Sequence, residues 1–378
     1  MDAEVFLKQI ENRLKVDFYT GVPDSLLRPL CDVLLTQEKF ASRHIVAADE
    51  GGAVGLAAGH YLATGKPSLV YMQNSGIGNA INPICSLIDN HVYAIPLLFV
   101  VGWRGEPGVH DEPQHVFQGM ISRDLLECVG LEVFVVDAGL SPEDFAAILD
   151  KVSFLFAEGK SAALLMRKGA LSSEVKRSYA AVGTLSREKA VDTVTRHAPS
   201  SAAFVSTTGK LSRELFELRE RHGEPHGSDF LTVGSMGHSP MIALGVALAH
   251  KERPVYVLDG DGALLMHTGA LAIVASQDSH RFVHVLINNA AHETVGGMPT
   301  ASPFVDYPAL AKAMGYQAAY SAQDEQGIID ALSEAAQVDG PVFIEIRTDL
   351  TSRGDLGRPT TSAYENGRAF IEYLEKAE

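Results

Sequence analysis

The sequence contains little cysteine, no long apolar run and no basic export segment. Its three cysteines, Cys31, Cys85 and Cys128, lie far apart, so neither a disulfide framework nor a Cys-X-X-Cys metal site is expected. The longest apolar run, around residues 92–101, contains Pro96 and is shorter than the ~20 residues of a membrane-spanning helix. The N-terminus carries early acidic residues, which predicts no signal for export.

The charge balance lacks an excess of basic residues. The chain of 378 residues has 31 Lys and Arg against 47 Asp and Glu, a formal net charge of −16. Such a surface repels nucleic acids and anionic membranes, so neither is an expected partner. Hydrophobic residues make up 46% of the chain, which is enough for packed cores. We therefore expect a cytoplasmic globular protein of two domains, at roughly 150 residues per domain.

Short β-branched segments alternate with amphipathic segments along the chain. Continuous apolar runs predict strands buried on both faces, at residues 68–72, 95–101, 131–136, 162–166, 203–206, 254–258, 282–287 and 341–346. Helical patterns lie between many of these runs, at residues 142–158, 213–221, 240–250 and 325–337. The alternation predicts an α/β fold in which mainly parallel sheets are flanked by helices.

A polar segment, KGALSSEVKRSYAAVGTLSR, separates two halves that have similar numbers of strands and helices. We predict a first domain over residues 1–170, a linker over 171–185 and a second domain over 186–378. Ser141 and Ser186 are expected to cap the helices that follow them.

Polar and glycine-rich segments follow three of the predicted strands, at residues 73–79, 259–262 and 288–300. Ligands of open α/β sheets lie beyond the carboxyl ends of the strands. We therefore expect the functional residues in these three segments.

Two of the segments form a paired motif. DGDG, at residues 259–262, and NN, at residues 288–289, each follow a predicted strand, with 25 residues between the two strings. Glycines let backbone amides approach phosphate oxygens, and carboxylate and amide oxygens suit Mg²⁺. A helix that begins near Ala263 would direct its N-terminus at the same anion. A simple acidic turn is the alternative for GDG alone, and the pairing with NN disfavours it.

The segments GDGALLMHTGAL and LINNAAHETVGGMPT resemble the diphosphate-binding domain of the thiamine diphosphate-dependent decarboxylases. HIVAADEGGAVGLAAGHYLATGKPSLVYMQNSGIGNAINP is similar to the pyrimidine-binding domain of the same family, so the resemblance extends over nearly the whole chain. VVGWRGEPGVHDEPQH and the short length favour the branch that acts on 3-phosphonopyruvate, with the sulfopyruvate branch as a near relative.

The resemblance has consequences for architecture and cofactors. It implies a pyrimidine-binding domain over residues 1–170 and a diphosphate-binding domain over residues 186–378. It also implies thiamine diphosphate and Mg²⁺ as cofactors. At least a homodimer is implied, because active sites of this fold class usually form across a subunit interface.

Site residues follow from the same resemblance, position by position. Asp261 and Asn288 match the metal-binding side chains, and Ala290 would offer its backbone carbonyl to the metal. Glu50 matches the glutamate that hydrogen-bonds the aminopyrimidine ring. The remaining expected cofactor contacts are Thr208, Gly209, Gly234, Met236, Gly260, Gly262 and Ala263, with Met236 bending the cofactor.

Proton control is expected from Glu50 and His292. Glu50 should protonate a ring nitrogen of the cofactor, which requires a partly desolvated carboxyl with a raised pKa. A helix-starting acid without a catalytic role is the alternative. His292 is expected to donate a proton or orient a polar group, against a purely structural histidine. His110 and His115 are alternative donors.

The phosphonate of the substrate is negatively charged, so we expect a cationic side chain to bind it. Arg104, after a predicted strand, offers a fork of donors suited to it. Asn74, Ser75, Gly76 and His110 are the other expected substrate contacts. Lys210, Arg353 and Arg358 are weaker candidates.

The resemblance implies a lyase that converts 3-phosphonopyruvate to phosphonoacetaldehyde and CO₂, in phosphonate biosynthesis. That pathway would serve either natural-product (antibiotic) synthesis or aminoethylphosphonate supply. Sulfopyruvate decarboxylation, carboligation and a non-catalytic cofactor-binding role are the alternatives. Motifs of other chemistries are absent from the sequence: it has no GxSxG, and GHYLATGKP does not match a P-loop.

Overall fold

The structure is a computed structural model that describes residues 1–175, 179–277 and 279–376. The chain divides into two compact units, Met1–Ser178 and Tyr179–Glu378. Each unit contains one six-stranded sheet flanked by helices. The predicted fold class is therefore confirmed.

The predicted linker, residues 171–185, includes residues 176–178, which lie outside the described residues. The predicted domain boundaries stay a prediction. Within the parts of the chain that the structure describes, no helix is both long enough and apolar enough to span a bilayer.

The sheet of the first unit is wholly parallel. Its strands are β1 (Phe18–Gly21), β2 (His44–Val46), β3 (Ser68–Gln73), β4 (Leu97–Gly102), β5 (Glu132–Val136) and β6 (Ala162–Met166), in the spatial order β2-β1-β3-β4-β6-β5. The helices are α1 (Ala3–Leu14), α2 (Arg28–Thr36), α3 (Glu38–Ala41), α4 (Glu50–Thr64), α5 (Ile77–Pro83), α6 (Pro113–Cys128) and α7 (Pro142–Ala157). A 3₁₀ turn at Asn74–Gly76 precedes α5, and a π-helical turn at Ile84–Ile88 follows it.

The main sheet of the second unit is also parallel. Its strands are β7 (Ala203–Ser206), β8 (Asp229–Leu231), β9 (Val255–Gly260), β10 (Phe282–Asn288), β13 (Ala318–Ala322) and β14 (Val342–Arg347), in the order β13-β14-β10-β9-β7-β8. A small antiparallel pair is formed by β11 (Ala291–His292) and β12 (Met298–Pro299). The helices are α8 (Arg187–His197), α9 (Lys210–His222), α10 (Ser239–Ala249), α11 (Asp261–Met266), α12 (Gly269–Ala275), α13 (Tyr307–Met314), α14 (Glu325–Ala335) and α15 (Ala363–Glu375). Short 3₁₀ turns lie at Glu293–Val295 and Ser302–Phe304.

Burial on both faces explains why the strands read as continuous apolar runs. In β10, Val283, Val285 and Ile287 pack into the core on one face of the sheet. Phe282 and Leu286, at alternate positions, pack into the core on the other face. Because both faces are covered, a strand of this sheet has no polar side to show in its sequence.

All eight predicted strands are present, with ends shifted by a few residues. The short strands β1, β2, β8 and β13, of three to five residues, were not predicted from the sequence. Ser141 and Ser186 cap their helices, as predicted: each hydroxyl accepts a backbone N–H, from Asp144 and Lys189 respectively. A helix does start near Ala263, as predicted: α11 begins two residues earlier, at Asp261.

Strand order reverses between β1 and β3 in the sheet of the first unit and between β7 and β9 in that of the second. At such a reversal the connections leave in opposite directions and open a crevice at the carboxyl ends of the strands. The segments after β1, β3, β7 and β9 are therefore the places where each unit can receive a ligand.

Candidate active site

Glu50 is a buried carboxyl at the start of a helix. Asp49 caps α4 by accepting the Gly52 N–H at 2.8 Å, so the next residue, Glu50, opens the helix. Glu50 is 4% exposed, and its Oε2 accepts a hydrogen bond from Asn79 Nδ2 at 2.8 Å. Burial raises the pKa of Glu50, and the bond from Asn79 opposes that rise only in part. The carboxyl therefore keeps its proton to higher pH than an exposed glutamate does.

Gly76 makes room for Glu50. A methyl group at Gly76 would lie 2.1 Å from Glu50 Oε1, so no larger residue fits there without moving the carboxyl. The structure thus places Gly76, predicted as a substrate contact, against the predicted catalytic glutamate.

Asn74 and Ser75, predicted substrate contacts, make hydrogen bonds within the protein. Asn74 Nδ2 donates to the Arg104 carbonyl at 2.7 Å and to Ser122 Oγ at 2.8 Å, and its Oδ1 accepts from the Arg104 N–H at 3.2 Å. Ser75 is exposed, and its hydroxyl donates to Gln73 Oε1 at 2.6 Å. Asn74 therefore joins the end of β3 to the end of β4 and positions Arg104.

The Arg104 guanidinium is already paired. Its Nε and Nη2 donate to Asp111 at 2.7 and 2.5 Å, and Nη1 donates to Ser25 Oγ at 3.0 Å. Burial alone would raise the pKa of Asp111, but the Arg104 pairing lowers it, so the carboxylate is charged at neutral pH. An anion that binds Arg104 must compete with Asp111. His110, in the same loop, is exposed.

Asp24 is a buried group at the β1–β3 reversal that sequence analysis missed. It is fully buried, and it accepts hydrogen bonds from Gln73 Nε2 at 2.7 Å and from the Leu26 N–H at 3.1 Å. Burial raises its pKa. The string VPDS after FYTG was the available signal, but a four-residue strand is too short to show a pattern.

His115, an alternative proton donor, lies in the first turn of α6. Burial, with a smaller contribution from the charge of Arg104, lowers its pKa to about 4. The ring is therefore neutral at physiological pH.

The segment after β7 begins with Thr207, whose hydroxyl is available to a ligand. Thr207 is 5% exposed, and its Oγ1 has no hydrogen-bond partner within the described part of the chain. Its methyl group lies 3.8 Å from the position that a Cβ would take at Gly260, so the segments after β7 and β9 are neighbours. Thr208 and Gly209 follow, half-buried, and Gly209 has a φ of 100° that favours glycine. Sequence analysis predicted Thr208 and Gly209 but not Thr207.

Asp261 is a buried carboxyl with neutral hydrogen-bond donors. It is 2% exposed, and Thr300 Oγ1 donates to its Oδ2 at 2.5 Å. Burial raises its pKa to about 6, against the effect of that bond and of backbone amides. A carboxylate buried in this way is stabilised by a cation, because its charge is otherwise uncompensated.

Oxygen atoms of the loop after β10 lie beside one another. Asn288 Oδ1 accepts from the Ala290 N–H at 3.1 Å and from Ser302 Oγ at 2.8 Å, and Asn288 Nδ2 donates to Glu345 at 2.8 Å. The Ala290 carbonyl accepts the Thr300 N–H at 3.0 Å. Asn289 Oδ1 accepts from the Ala291 N–H at 3.1 Å, so the second asparagine is a further amide oxygen near this turn.

Gly262, His292 and Met236 come together in the structure. A methyl group at Gly262 would lie 2.8 Å from His292 Cε1 and 3.3 Å from Met236 Cε. Met236 stands between Ser235 and Gly237, whose φ values are 54° and 83°, so a sharp turn just after Gly234 presents its side chain. Burial lowers the pKa of His292 to about 4. The ring is therefore neutral near pH 7, and the role of His292 as a proton donor or polar orienter stays a prediction.

Glu293 connects the loop after β10 to the start of α9. Its carboxylate pairs with Arg187 and, at 2.6 Å, with Lys210 Nζ. Arg187 also forks onto Glu214 at 2.6 and 2.7 Å. Burial alone would raise the pKa of Glu293, but the two cations lower it. No local sequence signal predicts these contacts, because Lys210 and Glu293 lie 83 positions apart.

Other predicted candidates lie apart from these clusters or in the core. Arg353 pairs with Glu188 and Glu217, and Arg358 is exposed. His284 is fully buried against Asp259 and Tyr316, so it is a core histidine. No cluster of three or more His, Cys, Asp or Glu side chains suited to a metal occurs among the described residues, so any metal site here relies on amide and carbonyl oxygens.

Comparison with known proteins agrees with this arrangement. Residues 3–127 match the N-terminal TPP binding domain of the thiamine pyrophosphate enzymes, and residues 207–346 match the C-terminal TPP binding domain. Thiamine pyrophosphate is another name for thiamine diphosphate.

Three curated relatives match over nearly their full lengths. A phosphonopyruvate decarboxylase of Streptomyces viridochromogenes is 36% identical over 96% of this chain and 92% of its own. One of Streptomyces hygroscopicus is 36% identical over 95% of this chain and 91% of its own. A sulfopyruvate decarboxylase of Methanosarcina acetivorans is 28% identical over 97% of this chain and 96% of its own. The chain therefore belongs to the thiamine pyrophosphate enzyme family, in the branch that contains the phosphonopyruvate decarboxylases.

Proposed function

We propose that the chain decarboxylates 3-phosphonopyruvate to phosphonoacetaldehyde and CO₂, with thiamine diphosphate and Mg²⁺. The observation that carries the proposal is the similarity along 96% of the chain to a relative named phosphonopyruvate decarboxylase. A 2-oxo acid is the substrate class of every curated relative compared above. The phosphonate is favoured over the sulfonate because the phosphonopyruvate relatives are more similar.

The described residues fit the metal in their chemistry. Asp261 is a buried carboxylate, and among the described residues its only side-chain hydrogen-bond donor is the neutral Thr300 hydroxyl. Amide and carbonyl oxygens lie on the neighbouring loop. Hard oxygen donors of this kind suit Mg²⁺. We propose Asp261, Asn288 and the Ala290 carbonyl as ligands. Because Asn288 Oδ1 already accepts two hydrogen bonds, Asn289 is a competing amide ligand.

The diphosphate also fits. Thr207 Oγ1 is buried and has no hydrogen-bond partner among the residues that the structure describes. The adjacent turn through Thr208 and Gly209 leads into the N-terminus of α9, a 13-residue helix. A helix N-terminus presents unpaired N–H groups to an anion. We propose that these groups, with the backbone of residues 260–263, hold the diphosphate.

Decarboxylation leaves an electron pair that no side chain can accept, and bound thiamine diphosphate supplies the electron sink. Glu50, with its raised pKa, holds a proton at the position where the resemblance places the aminopyrimidine ring. Gly234 and Met236 provide the turn against which the ring rests. His292, neutral near pH 7, orients polar groups through hydrogen bonds and does not act as a charged acid.

The substrate end is assigned to the segments after β3 and β4. Arg104 binds the phosphonate, and the anion replaces part of its pairing with Asp111. Asn74 positions the Arg104 backbone, and Gly76 leaves space for Glu50. Ser75 and His110 are exposed and available for hydrogen bonds to the substrate.

We also propose a location and a pathway. Cys85 and Cys128 are exposed free thiols, which are typical of a reducing cytoplasm. The phosphonopyruvate relatives support a role in phosphonate biosynthesis. Fractionation of cells that produce the chain tests the location, and recovery in an oxidising compartment contradicts it.

Decarboxylation of phosphonopyruvate is the direct test of the proposed function. We expect CO₂ release that requires both thiamine diphosphate and Mg²⁺ and that is faster, measured as kcat/KM, than release from sulfopyruvate. A larger kcat/KM for sulfopyruvate contradicts the substrate assignment. Cofactor binding without CO₂ release from either acid favours the non-catalytic alternative.

Glu50→Gln tests the role of the buried carboxyl. An amide cannot transfer a proton, so we expect kcat to fall by about 100-fold or more, as for loss of a general acid or base, while cofactor binding stays measurable by calorimetry. Glu38→Gln makes the same change at an exposed residue that begins α3, and we expect it to leave kcat unchanged. Wild-type kcat in Glu50→Gln would remove Glu50 from the chemistry.

Metal affinity should depend on pH through Asp261. Its pKa of about 6 means that the carboxyl gains a proton, and loses its charge, as the pH falls below about 6. Protons then compete with Mg²⁺, so the apparent Mg²⁺ affinity should decrease about tenfold per pH unit below that value and level off above it. Titrations of Mg²⁺-dependent cofactor binding from pH 5 to 8 measure this. A Mg²⁺ affinity that stays constant over this pH range would contradict the role of Asp261 as a ligand.

Self-association is expected from exposed apolar residues on helices of both units. On α4, Leu56 and Leu62 are 37% and 69% exposed, and on α10, Met241 and Leu248 are each 39% exposed. Apolar helix faces of this kind are usually covered by a partner, and we propose a second copy of the chain, as a homodimer or larger homo-oligomer whose active sites use two subunits. Sedimentation equilibrium measures the mass; a monomer at micromolar concentration with full activity excludes this assembly.

A further inference from the structure

Four segments of the second unit surround the place proposed for the diphosphate: residues 207–210, 232–238, 259–263 and 288–297. All four lie within the described part of the chain, and together they contain one lysine, Lys210, and no arginine. A diphosphate group carries several negative charges. Apart from the histidines His238 and His292, its compensation from these segments must therefore come from Lys210, from backbone amides and hydroxyls, or from a metal.

Lys210 is not available to an anion as it stands. Its Nζ pairs with Glu293 Oε1 at 2.6 Å and donates to Ser352 Oγ at 2.7 Å. The same Glu293 carboxylate pairs with Arg187, which forks onto Glu214. Two cations and two carboxylates therefore form a network without net charge beside the turn.

This ion-pair network lies beside the turn through Thr208 and Gly209, where the diphosphate is proposed to bind. Lys210 is the first residue of α9, directly after Gly209. Thr294, next to Glu293, places its Oγ1 2.9 Å from the position that a Cβ would take at Gly209. An ammonium released from Glu293 would therefore remain beside the turn proposed for the diphosphate.

We propose that Glu293 makes diphosphate binding depend on a divalent cation, by keeping the ammonium of Lys210 paired and away from the anion. With Lys210 engaged, a metal ion at Asp261 supplies the positive charge that the four segments otherwise lack. This inference rests on the proposed function, because it concerns the same cofactor site. It assigns Glu293 as a positioning residue that selects the metal-bound form of the ligand.

The test is thiamine diphosphate binding by calorimetry, with the full chain, in Mg²⁺ and in EDTA. The measured quantity is the ratio of the dissociation constants in EDTA and in Mg²⁺. Glu293→Gln frees Lys210 while Arg187 keeps its partner Glu214, so we expect the ratio to shrink about tenfold or more, the usual effect of one hydrogen bond to a charged group. The double variant Glu293→Gln/Lys210→Met removes the freed charge and should restore the wild-type ratio.

Inorganic pyrophosphate in EDTA serves as a second probe, because it presents the anion without the rings. Glu293→Gln should bind it about tenfold more tightly than the wild type does. An unchanged ratio and unchanged pyrophosphate binding in folded Glu293→Gln overturn the inference.

If Glu293→Gln does not fold, Lys210→Met alone still tests the inference. A lysine that is already paired contributes little to the metal-bound ligand, so Lys210→Met should change binding in Mg²⁺ by less than about threefold. A loss of about tenfold or more means that Lys210 itself grips the diphosphate, which contradicts the inference. Failure of the wild type to bind thiamine diphosphate even with Mg²⁺ would instead contradict the proposed function.

Discussion

The second unit contains a buried carboxylate, Asp261, whose charge no cationic side chain of the described residues balances. Asp261 directly follows β9, at the point where strand order reverses. Its contacts are a threonine hydroxyl and backbone amides. A protein does not retain an uncompensated buried charge without a reason, because desolvation disfavours it by several kcal/mol. The metal ion proposed at this site would supply that reason, and the oxygen atoms proposed as its ligands match the preference of a hard divalent ion.

The two units apply the same architecture to different chemistry. Each has a parallel sheet whose strand order reverses beside its first strand, β1 or β7, and in each that reversal is bordered by a buried acid: Asp24 in the first unit and Asp261 in the second. In the first unit a further acid, Glu50, is kept protonatable by burial. In the second unit, glycines and hydroxyls border the acid instead. The first unit is therefore equipped to manage protons, and the second to hold an anion with its counterion.

Much of this arrangement was predictable from the sequence, because some of its physics is local. Apolar runs predicted the central strands, since burial on both faces leaves no polar positions. GDG and NN predicted a site, since each follows a strand and parallel strands end at the same edge. The short strands β1 and β8 were missed because three or four residues show no period. The pairings Arg104–Asp111 and Lys210–Glu293 were missed because a charge pattern does not reveal which partner the fold brings near.

The hairpin formed by β11 and β12 has a thermodynamic consequence. Its start is tied through Ala290 to Thr300, and Thr300 in turn holds Asp261. The contacts that order this hairpin also hold Asp261. Folding of the hairpin and ligand binding at Asp261 therefore favour each other. A ligand that binds only the folded form adds RT ln(1 + [L]/Kd) to its stability, which makes the resistance of the second unit to proteolysis and heat a function of cofactor supply. In a cell short of thiamine, the amount of folded protein would fall as well as its turnover.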